Sequence, residues 1–308
     1  MIPPPWLRGR KSDLCSRAVD AVLFGALAGL LFGALAVAIR YGLSRGVPVE
    51  VGATVTAAAA FLVVCAAALV SGAFSDSVDA RDVLVFAAIG AAVPGLSQIV
   101  FVQAIRHAGA ARTAVLIGVA PLLSFVLAAL FLGESISPGL VAGAALIVIA
   151  VASLSFERTR PEGYRSLGAA LAVVCAGLFA VRDTVVRWGS EDATMEPLLR
   201  TVVSLGSAAL IVAAWSYATR RGRPPAHLRT AITPFLPAGI ILGAAYLCLI
   251  VALDRGRVTI IAPLNATQSL WGVIFAAAFL GKREAIGPRL LAAALLVVAG
   301  GVLIGISR

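Results

Sequence analysis

Long apolar runs alternate with short polar breaks along the whole of this chain. Each run holds roughly 18 to 25 residues, and an α-helix of that length crosses the ~30 Å hydrocarbon core of a bilayer. The pattern predicts ten membrane-spanning helices, at residues 18–39, 51–73, 83–105, 113–132, 138–156, 166–186, 197–219, 232–253, 259–280 and 285–306.

The two halves of the chain repeat one layout. Residues 110–156 carry an apolar run, the sequence Phe-Leu-Gly-Glu at 131–134, a polar turn and a second apolar run. Residues 258–307 repeat this order, with Phe-Leu-Gly-Lys at 279–282 and an offset of 279 − 131 = 148 residues. The shared layout indicates an internal duplication.

The odd number of spans in each half has a geometric consequence. With five predicted spans per half, the second half begins on the opposite side of the membrane from the first, so the halves form an inverted repeat. The predicted fold is therefore an all-α integral membrane protein of about ten transmembrane helices, arranged as two inverted five-helix repeats. Its predicted parts are a basic tail, the first repeat, a linker and the second repeat, at residues 1–17, 18–157, 158–165 and 166–308.

The composition favours a multi-pass protein of the cell membrane. The chain is 60% hydrophobic and only 13% charged, about half the charged fraction of an ordinary soluble domain. Its net charge of +10 comes from basic residues spread over many short loops. Such residues set topology and meet lipid headgroups, so we expect the lipid bilayer as a partner and no nucleic acid.

The sequence lacks the motifs of common metal and nucleotide sites. Its only histidines are His107 and His227, which excludes an H-E-x-x-H zinc motif, and no Walker A loop is present. The four cysteines show no C-x-x-C spacing. We therefore expect no enzymatic activity, no cofactor and no metal.

Three glycines in the first span indicate close helix packing. Gly25, Gly29 and Gly33 recur at four-residue intervals and so share one helix face. Small residues in this arrangement let two membrane helices approach closely.

Polar side chains inside the predicted spans are the first candidates for a solute site, because each is costly in hydrocarbon unless satisfied. The densest set lies in the ninth span and consists of Asn265, Thr267, Gln268, Ser269 and Trp271. Asn265, Gln268 and Ser269 follow the i, i+3, i+4 spacing of one helix face. We interpret them as a hydrogen-bonding wall of a solute cavity; the alternative is interhelical hydrogen bonding that holds the bundle together.

The third and eighth spans supply Gln98, Gln103 and Tyr246. Gln98 and Tyr246 occupy matched positions, since 246 − 98 = 148, and an inverted repeat would set them facing one central site. Packing or mutual hydrogen bonding is the alternative. Pro94, in the third span, predicts a kink.

Four charged residues complete the candidate set. Arg182 and Asp183 lie about one turn from the end of the sixth predicted span, where they would bind a carboxylate, carry a coupling proton or snorkel to the interface. Arg106 and Asp254 match across the halves, since 254 − 106 = 148. They lie at the ends of their spans, where charges are usually interfacial.

One segment resembles a known family. Residues 121–134, Pro-Leu-Leu-Ser-Phe-Val-Leu-Ala-Ala-Leu-Phe-Leu-Gly-Glu, followed by Gly143 and an aliphatic run, resemble the hallmark of the EamA family in the drug/metabolite transporter superfamily. The second half echoes it with Ile-Ala-Pro at 261–263 and Phe-Leu-Gly-Lys-Arg-Glu at 279–284. The resemblance covers about residues 18–306. One departure is Lys282, which stands where the second copy usually has a glutamate, with Glu284 two residues later.

The resemblance implies a small-solute permease, often an exporter, driven by an ion gradient or by the solute's own gradient. Our hypothesis is a secondary transporter, acting in efflux, that moves a small metabolite, amino acid or amphipathic compound by alternating access around a midplane cavity. A proton is the candidate coupling ion. The alternative is a non-transporting membrane scaffold or accessory subunit that retains the fold. In either case we expect a monomer or a homodimer.

Overall fold

The computed structural model describes residues 5–75, 78–124, 126, 137–155, 165–221 and 228–306, and within them the regular structure is helical. A π-helical turn occupies Ala91–Leu96, and 3₁₀ turns occupy Ala73–Ser75 and Gly281–Glu284. The α-helices of these residues are α1 Pro5–Leu43, α2 Val49–Ser71, α3 Ala80–Gly90, α4 Ser97–Ala108, α5 Ala110–Ile117, α6 Pro138–Ser155, α7 Ser166–Glu191, α8 Pro197–Thr219, α9 Leu228–Arg255, α10 Val258–Ala266, α11 Gln268–Leu280 and α12 Pro288–Ile306.

Eight helical segments among the described residues are long and apolar enough to cross a membrane. They coincide with eight of the predicted spans. The other two predicted spans, 113–132 and 138–156, coincide with shorter apolar helices at Ala110–Ser124 and Pro138–Leu154. Residues 127–136, which include Glu134 of the family-like segment, lie outside the described residues, and so do residues 156–164, which include all of the predicted linker except Arg165. A helical multi-pass fold is confirmed, whereas the count of ten stays a prediction.

The glycine face of α1 packs directly on α10 and α11, which confirms the predicted close approach. A Cβ atom added to Gly29 would lie 2.6 Å from the carbonyl oxygen of Leu264, and one added to Gly33 would lie 2.8 Å from the amide nitrogen of Gly272. Real Cβ atoms do not approach so closely. The glycines therefore allow backbone to meet backbone along this interface.

Polar contacts at the helix termini identify the two ends of the bundle. At one end, termed the Glu284 end, Arg40 of α1 pairs with Glu284 at 2.9 Å and donates to the carbonyl of Arg106 at 3.5 Å. At the opposite end, Arg255 of α9 pairs with Asp20 of α1 at 2.7 Å. Helix α1 therefore runs from the opposite end towards the Glu284 end.

Helix α7, the first helix of the second half, runs the other way. Just before it, the amide of Arg165 donates to the carbonyl of His107 at the end of α4, with an N···O distance of 2.9 Å. Near its C-terminus, Arg187 donates to the carbonyl of Asp254 at the end of α9, at 3.3 Å. Helix α7 therefore starts at the Glu284 end and finishes at the opposite end.

Helical hydrogen bonding breaks at corresponding points of the fourth and ninth predicted spans. Helix α5 is followed by a turn at residues 118–119, and Thr267 separates α10 from α11. These breaks match across the halves, since 266 − 118 = 148 and 267 − 119 = 148. The third span has a different interruption: Val93, beside Pro94, has the non-helical angles φ −143° and ψ 113°. The predicted kink at Pro94 is confirmed.

Candidate functional site

Arg182 and Asp183 form a charged pair in the interior of the bundle. Each is only 4% exposed, and both Nε and Nη2 of Arg182 lie 2.8 Å from Oδ1 of Asp183. Helix α7 continues to Glu191, so the pair lies more than two turns from its end, not the expected single turn. A snorkelling arginine keeps its guanidinium in water. The burial of both side chains therefore argues against the interfacial alternative.

Aromatic rings from two helices pack on the guanidinium of Arg182. Its central carbon lies 4.6 Å from the ring centroid of Phe179 on α7 and 5.5 Å from that of Phe32 on α1. The ring of Phe101 on α4 in turn lies 6.3 Å from that of Phe179, centroid to centroid. The ring faces of Phe179 and Phe32 attract the cation electrostatically, so α1 and α7 supply its apolar walls and α4 packs behind Phe179.

Tyr246 reaches this region from α9. Its hydroxyl donates a 2.8 Å hydrogen bond to the carbonyl of Val93, the residue at which the third span leaves helical geometry. The same hydroxyl is close enough to Arg182 and Asp183 to interact with them electrostatically. The structure thus brings Tyr246, the kinked span and the charged pair together.

The two glutamines of α4 have different surroundings. Gln98 is 3% exposed, and its Nε2 has no hydrogen-bond partner among the described residues. It precedes Phe101 by three positions, which places both on the same helix face. Gln103 is half-buried and lies five positions from Gln98, about 140° further round the helix. Gln98 therefore lies on the Phe101 face of α4, whereas Gln103 does not.

Asn265, next to the helix break at Thr267, has a side-chain amide without hydrogen-bond partners in the described part of the chain. It is 5% exposed, and neither Nδ2 nor Oδ1 has a hydrogen-bond partner among the described residues. By contrast, Ser269 donates to the carbonyl of Ala114 at 2.9 Å and so joins the two broken helices. The hydrogen bond of Ser269 therefore fits the interhelical interpretation, whereas the unpaired amide of Asn265 favours a ligand.

Helix α1 links Asn265 to the charged pair. Gly29 packs against the Cα atom of Asn265, at 3.5 Å from the position of an added Cβ. Phe32, three positions later and on the same face of α1, packs on Arg182. The contacts that α1 makes with Asn265 and with Arg182 are therefore three positions apart along this helix.

Gln268 and Trp271 have other neighbours. Gln268 is buried, and its backbone carbonyl packs on Gly33 of α1. The ring of Trp271 stacks on that of Phe275, with centroids 5.7 Å apart. Phe275 lines an apolar cleft of about 460 Å³ between α1, α9 and α11. The packing of Trp271 is therefore directed towards this cleft.

Arg106 and Asp254 lie at opposite ends of the bundle. Arg106 is exposed at the end of α4 on the Glu284 end. Asp254 pairs with Arg200 at 2.8 Å on the opposite end. The structure does not bring these two charges together, which agrees with the interfacial alternative.

Glu284 has a buried ionic role that the sequence patterns did not reveal. It is 0% exposed; its Oε1 lies 2.9 Å from Nε of Arg40, and its Oε2 accepts from the amide of Ala111 at 3.2 Å. Its backbone carbonyl accepts from Arg112 at 2.8 Å. The carboxylate thus lies at the N-terminus of α5, where the helix dipole favours negative charge. The departure at Lys282 was the one sequence signal that pointed to this loop.

A second buried hydrogen-bond network lies at the opposite end of the bundle. Asp82 is 3% exposed and accepts from the amides of Thr194 and Met195 at 2.9 and 3.0 Å. Arg200 donates to the carbonyl of Met195 at 2.6 Å and to Ser190 Oγ at 2.9 Å. These contacts fix the α7–α8 connection over the ends of the helices.

A cavity of about 480 Å³ opens at the Glu284 end. Charged residues from four elements line it, namely Arg40, Glu50, Arg106 and Glu284. Charged walls favour a water-filled space, so we expect water to occupy this cavity.

Comparison with known proteins identifies the family. The profile of the EamA-like transporter family matches residues 20–156 and again residues 166–306. The chain belongs to the EamA-like transporter family. The resemblance seen in the sequence is confirmed, and with it the integral membrane location of this EamA protein.

One solved structure supports the fold. Titled "Crystal structure of protein", it covers 92% of this chain and 96% of its own, with a TM-score of 0.62 and 21% sequence identity. At that identity the likeness concerns the fold alone. No curated protein gives a significant match.

Proposed function

We propose that this EamA protein is a secondary-active transporter that moves a small metabolite, amino acid or amphipathic compound by alternating access. The site we assign to the solute consists of Arg182, Asp183, Gln98, Tyr246 and Asn265. One observation carries the proposal: the interior of the bundle holds a buried charged pair and unpartnered amides, and two of its helices break at matched positions. Ionisable groups inside a membrane protein usually mark a solute or ion pathway, and discontinuous helices form the binding sites of many transporters.

Two inverted five-helix repeats, residues 18–157 and 166–308 joined by 158–165, are part of this proposal. The opposite directions of α1 and α7 support it. So does a pair of corresponding contacts, in which Arg40 donates to the carbonyl of Arg106 and Arg187 to that of Asp254. The donors are 187 − 40 = 147 residues apart and the acceptors 254 − 106 = 148. These contacts lie at opposite ends of the bundle, as a twofold axis in the membrane plane requires.

The experiment has two stages. A thermal-stability screen of the purified protein against metabolites identifies a ligand, because one at a hundredfold excess over Kd stabilises the folded state by about 2.7 kcal/mol. Flux of that ligand is then measured in proteoliposomes for the wild-type protein and for the Gln98→Ala and Asn265→Ala variants. We expect both variants to lose flux while their folded yield stays near that of the wild type.

A matched control is Ser153→Ala in α6, because within the described residues the Ser153 hydroxyl bonds to its own helix, donating to the carbonyl of Ala150 at 2.7 Å. This variant should keep both flux and folding. Loss of folding in the Gln98 and Asn265 variants would instead assign these amides to bundle stability. A folded protein that neither binds nor moves any compound would support the non-transporting alternative.

A further inference from the structure

The three buried arginines in the described part of the chain differ in how fully they are satisfied. Arg200 donates to a backbone carbonyl, a serine hydroxyl and a carboxylate, and Arg112 donates to two backbone carbonyls after α11. Arg182 has a single acceptor among the described residues, Oδ1 of Asp183. A guanidinium carries five N–H donors. Arg182 therefore retains N–H donors that can bind a second acceptor, whereas Arg200 and Arg112 each already donate to more than one acceptor group.

We propose that the solute carries a carboxylate, that this group replaces Asp183 on the guanidinium of Arg182, and that Asp183 takes up one proton in the exchange. This inference rests on the proposed function, because it specifies the ligand of the same site. Planar guanidinium groups bind carboxylates through two parallel hydrogen bonds, which makes arginine the residue suited to this recognition.

The charge balance of the site favours an anion over a cation. A cationic solute would have to pair with Asp183 and would leave Arg182, which cannot lose its proton, as an unpaired buried charge. An anionic solute leaves Asp183 unpaired instead, and a buried carboxylate can be neutralised by binding a proton. One carboxylate and one proton therefore enter together, and the net charge of the site does not change.

Two further titratable groups interact electrostatically with the pair. They are Tyr246 on α9 and Cys175 on α7 itself. The hydroxyl proton of Tyr246 is already donated to a backbone carbonyl. The side chain of α1 that packs on Arg182 is the uncharged Phe32.

The walls of the site suggest the rest of the solute. Phe32 and Phe179 offer apolar ring surface beside the guanidinium, and Phe101 packs on Phe179. The unpaired amides of Gln98 and Asn265, which the proposed function assigns to the same site, offer hydrogen bonds. The structure thus assigns a small carboxylate with an apolar body, aliphatic or aromatic, as the preferred chemical class.

Binding of a matched probe set to the full-length protein in detergent tests this inference. The set comprises straight-chain carboxylates from acetate to octanoate and phenylacetate, the primary amide and the amine of each, and the corresponding α-amino acids. Calorimetric titration in two buffers of different ionisation enthalpy counts the protons taken up with each ligand. We expect binding by carboxylates, uptake of one proton per ligand, and a Kd that rises tenfold for each unit of pH above neutrality.

Three variants separate this role from a structural one. Asp183→Asn leaves Arg182 free of its competitor, so it should bind the carboxylate more tightly, with no proton uptake and no pH dependence. The double variant Arg182→Gln/Asp183→Asn keeps the shape of the pair without its charges and should lose carboxylate binding while remaining folded. Arg187→Gln, one turn later on the same helix, is the control and should bind as the wild type does.

Each of the other binding outcomes overturns the inference. Preferential binding of amides or amines, or no binding by any carboxylate, would show that Arg182 is not a carboxylate anchor. Binding by amino acids alone, without proton uptake, would show that an ammonium group and not a proton satisfies Asp183. Transport of amides or amines in proteoliposomes would leave the transporter proposal intact and refute this one. Carboxylate binding without flux would leave this inference intact and refute the transporter proposal.

Discussion

Removal of the Glu284 carboxylate should weaken the whole bundle, because this one group links three helices. It pairs with Arg40 of α1 and accepts from the first turn of α5, while its own residue follows α11. Breaking a buried ion pair by deleting one partner costs about 3–5 kcal/mol. Arg40 is 20% exposed and so stays partly hydrated once its partner is gone. We therefore expect Glu284→Ala to lower the free energy of unfolding by about 3 kcal/mol, at the low end of that range.

Glu284→Gln should lower the free energy of unfolding less than Glu284→Ala does. The amide oxygen can still accept from Arg40 or Ala111, but hydrogen bonds to a neutral acceptor are weaker by roughly 1 kcal/mol each. We expect a loss of about 1–2 kcal/mol. Reversible unfolding in mixed micelles, driven by increasing dodecyl sulfate and followed by tryptophan fluorescence, measures both values.

The control deletes a carboxylate from an exposed pair. Glu191 lies 3.7 Å from Arg187, and the two side chains are 56% and 33% exposed. Exposed helical pairs contribute about 0.3–0.5 kcal/mol, so Glu191→Ala should unfold almost as the wild type does. The reasoning is refuted if Glu284→Ala and Glu191→Ala unfold at the same detergent composition.

Two further stability predictions follow from local geometry. A Cβ atom added at Gly90 would overlap the backbone carbonyl of Ser204, so Gly90→Ala should lower the free energy of unfolding. The control Gly177→Ala meets only ordinary contact and should be neutral or stabilising by up to about 1 kcal/mol. Equal effects of the two substitutions in the same unfolding assay would contradict this reasoning. Tyr246→Phe removes the donor to the carbonyl of Val93 and should cost about 1–3 kcal/mol; an unfolding curve identical to that of the wild type would show that this carbonyl finds another donor.

The residues of the candidate site show how far sequence reasoning reached. The polar in-span residues were found because a polar group within an apolar run is visible from composition alone. The sequence did not show which of these side chains lie close to one another in the fold. Gln98 and Tyr246 reach one region, whereas the packing of Trp271 is directed to an apolar cleft and Ser269 holds two helices together. These assignments depend on the rotation of each helix about its axis, which neighbouring helices decide.

Other features depended on where helices end. The sequence placed Arg182 and Asp183 near an interface because the apolar run stops at about residue 186. The helix itself continues to Glu191, so the pair lies in the interior. The burial of Glu284 was equally hidden, since its partner Arg40 is 244 residues away in the chain.

The sequence by itself determined that this protein is a bundle of membrane helices with two related halves. Run length, helix periodicity and a constant offset are properties of neighbouring residues, and partition into a bilayer depends on them directly. Only the tertiary structure decided which charges are buried, which amides lack partners and where the helices break. Those outcomes depend on close packing between segments far apart in the chain, where the satisfaction of each polar group is set by what the neighbouring helix presents.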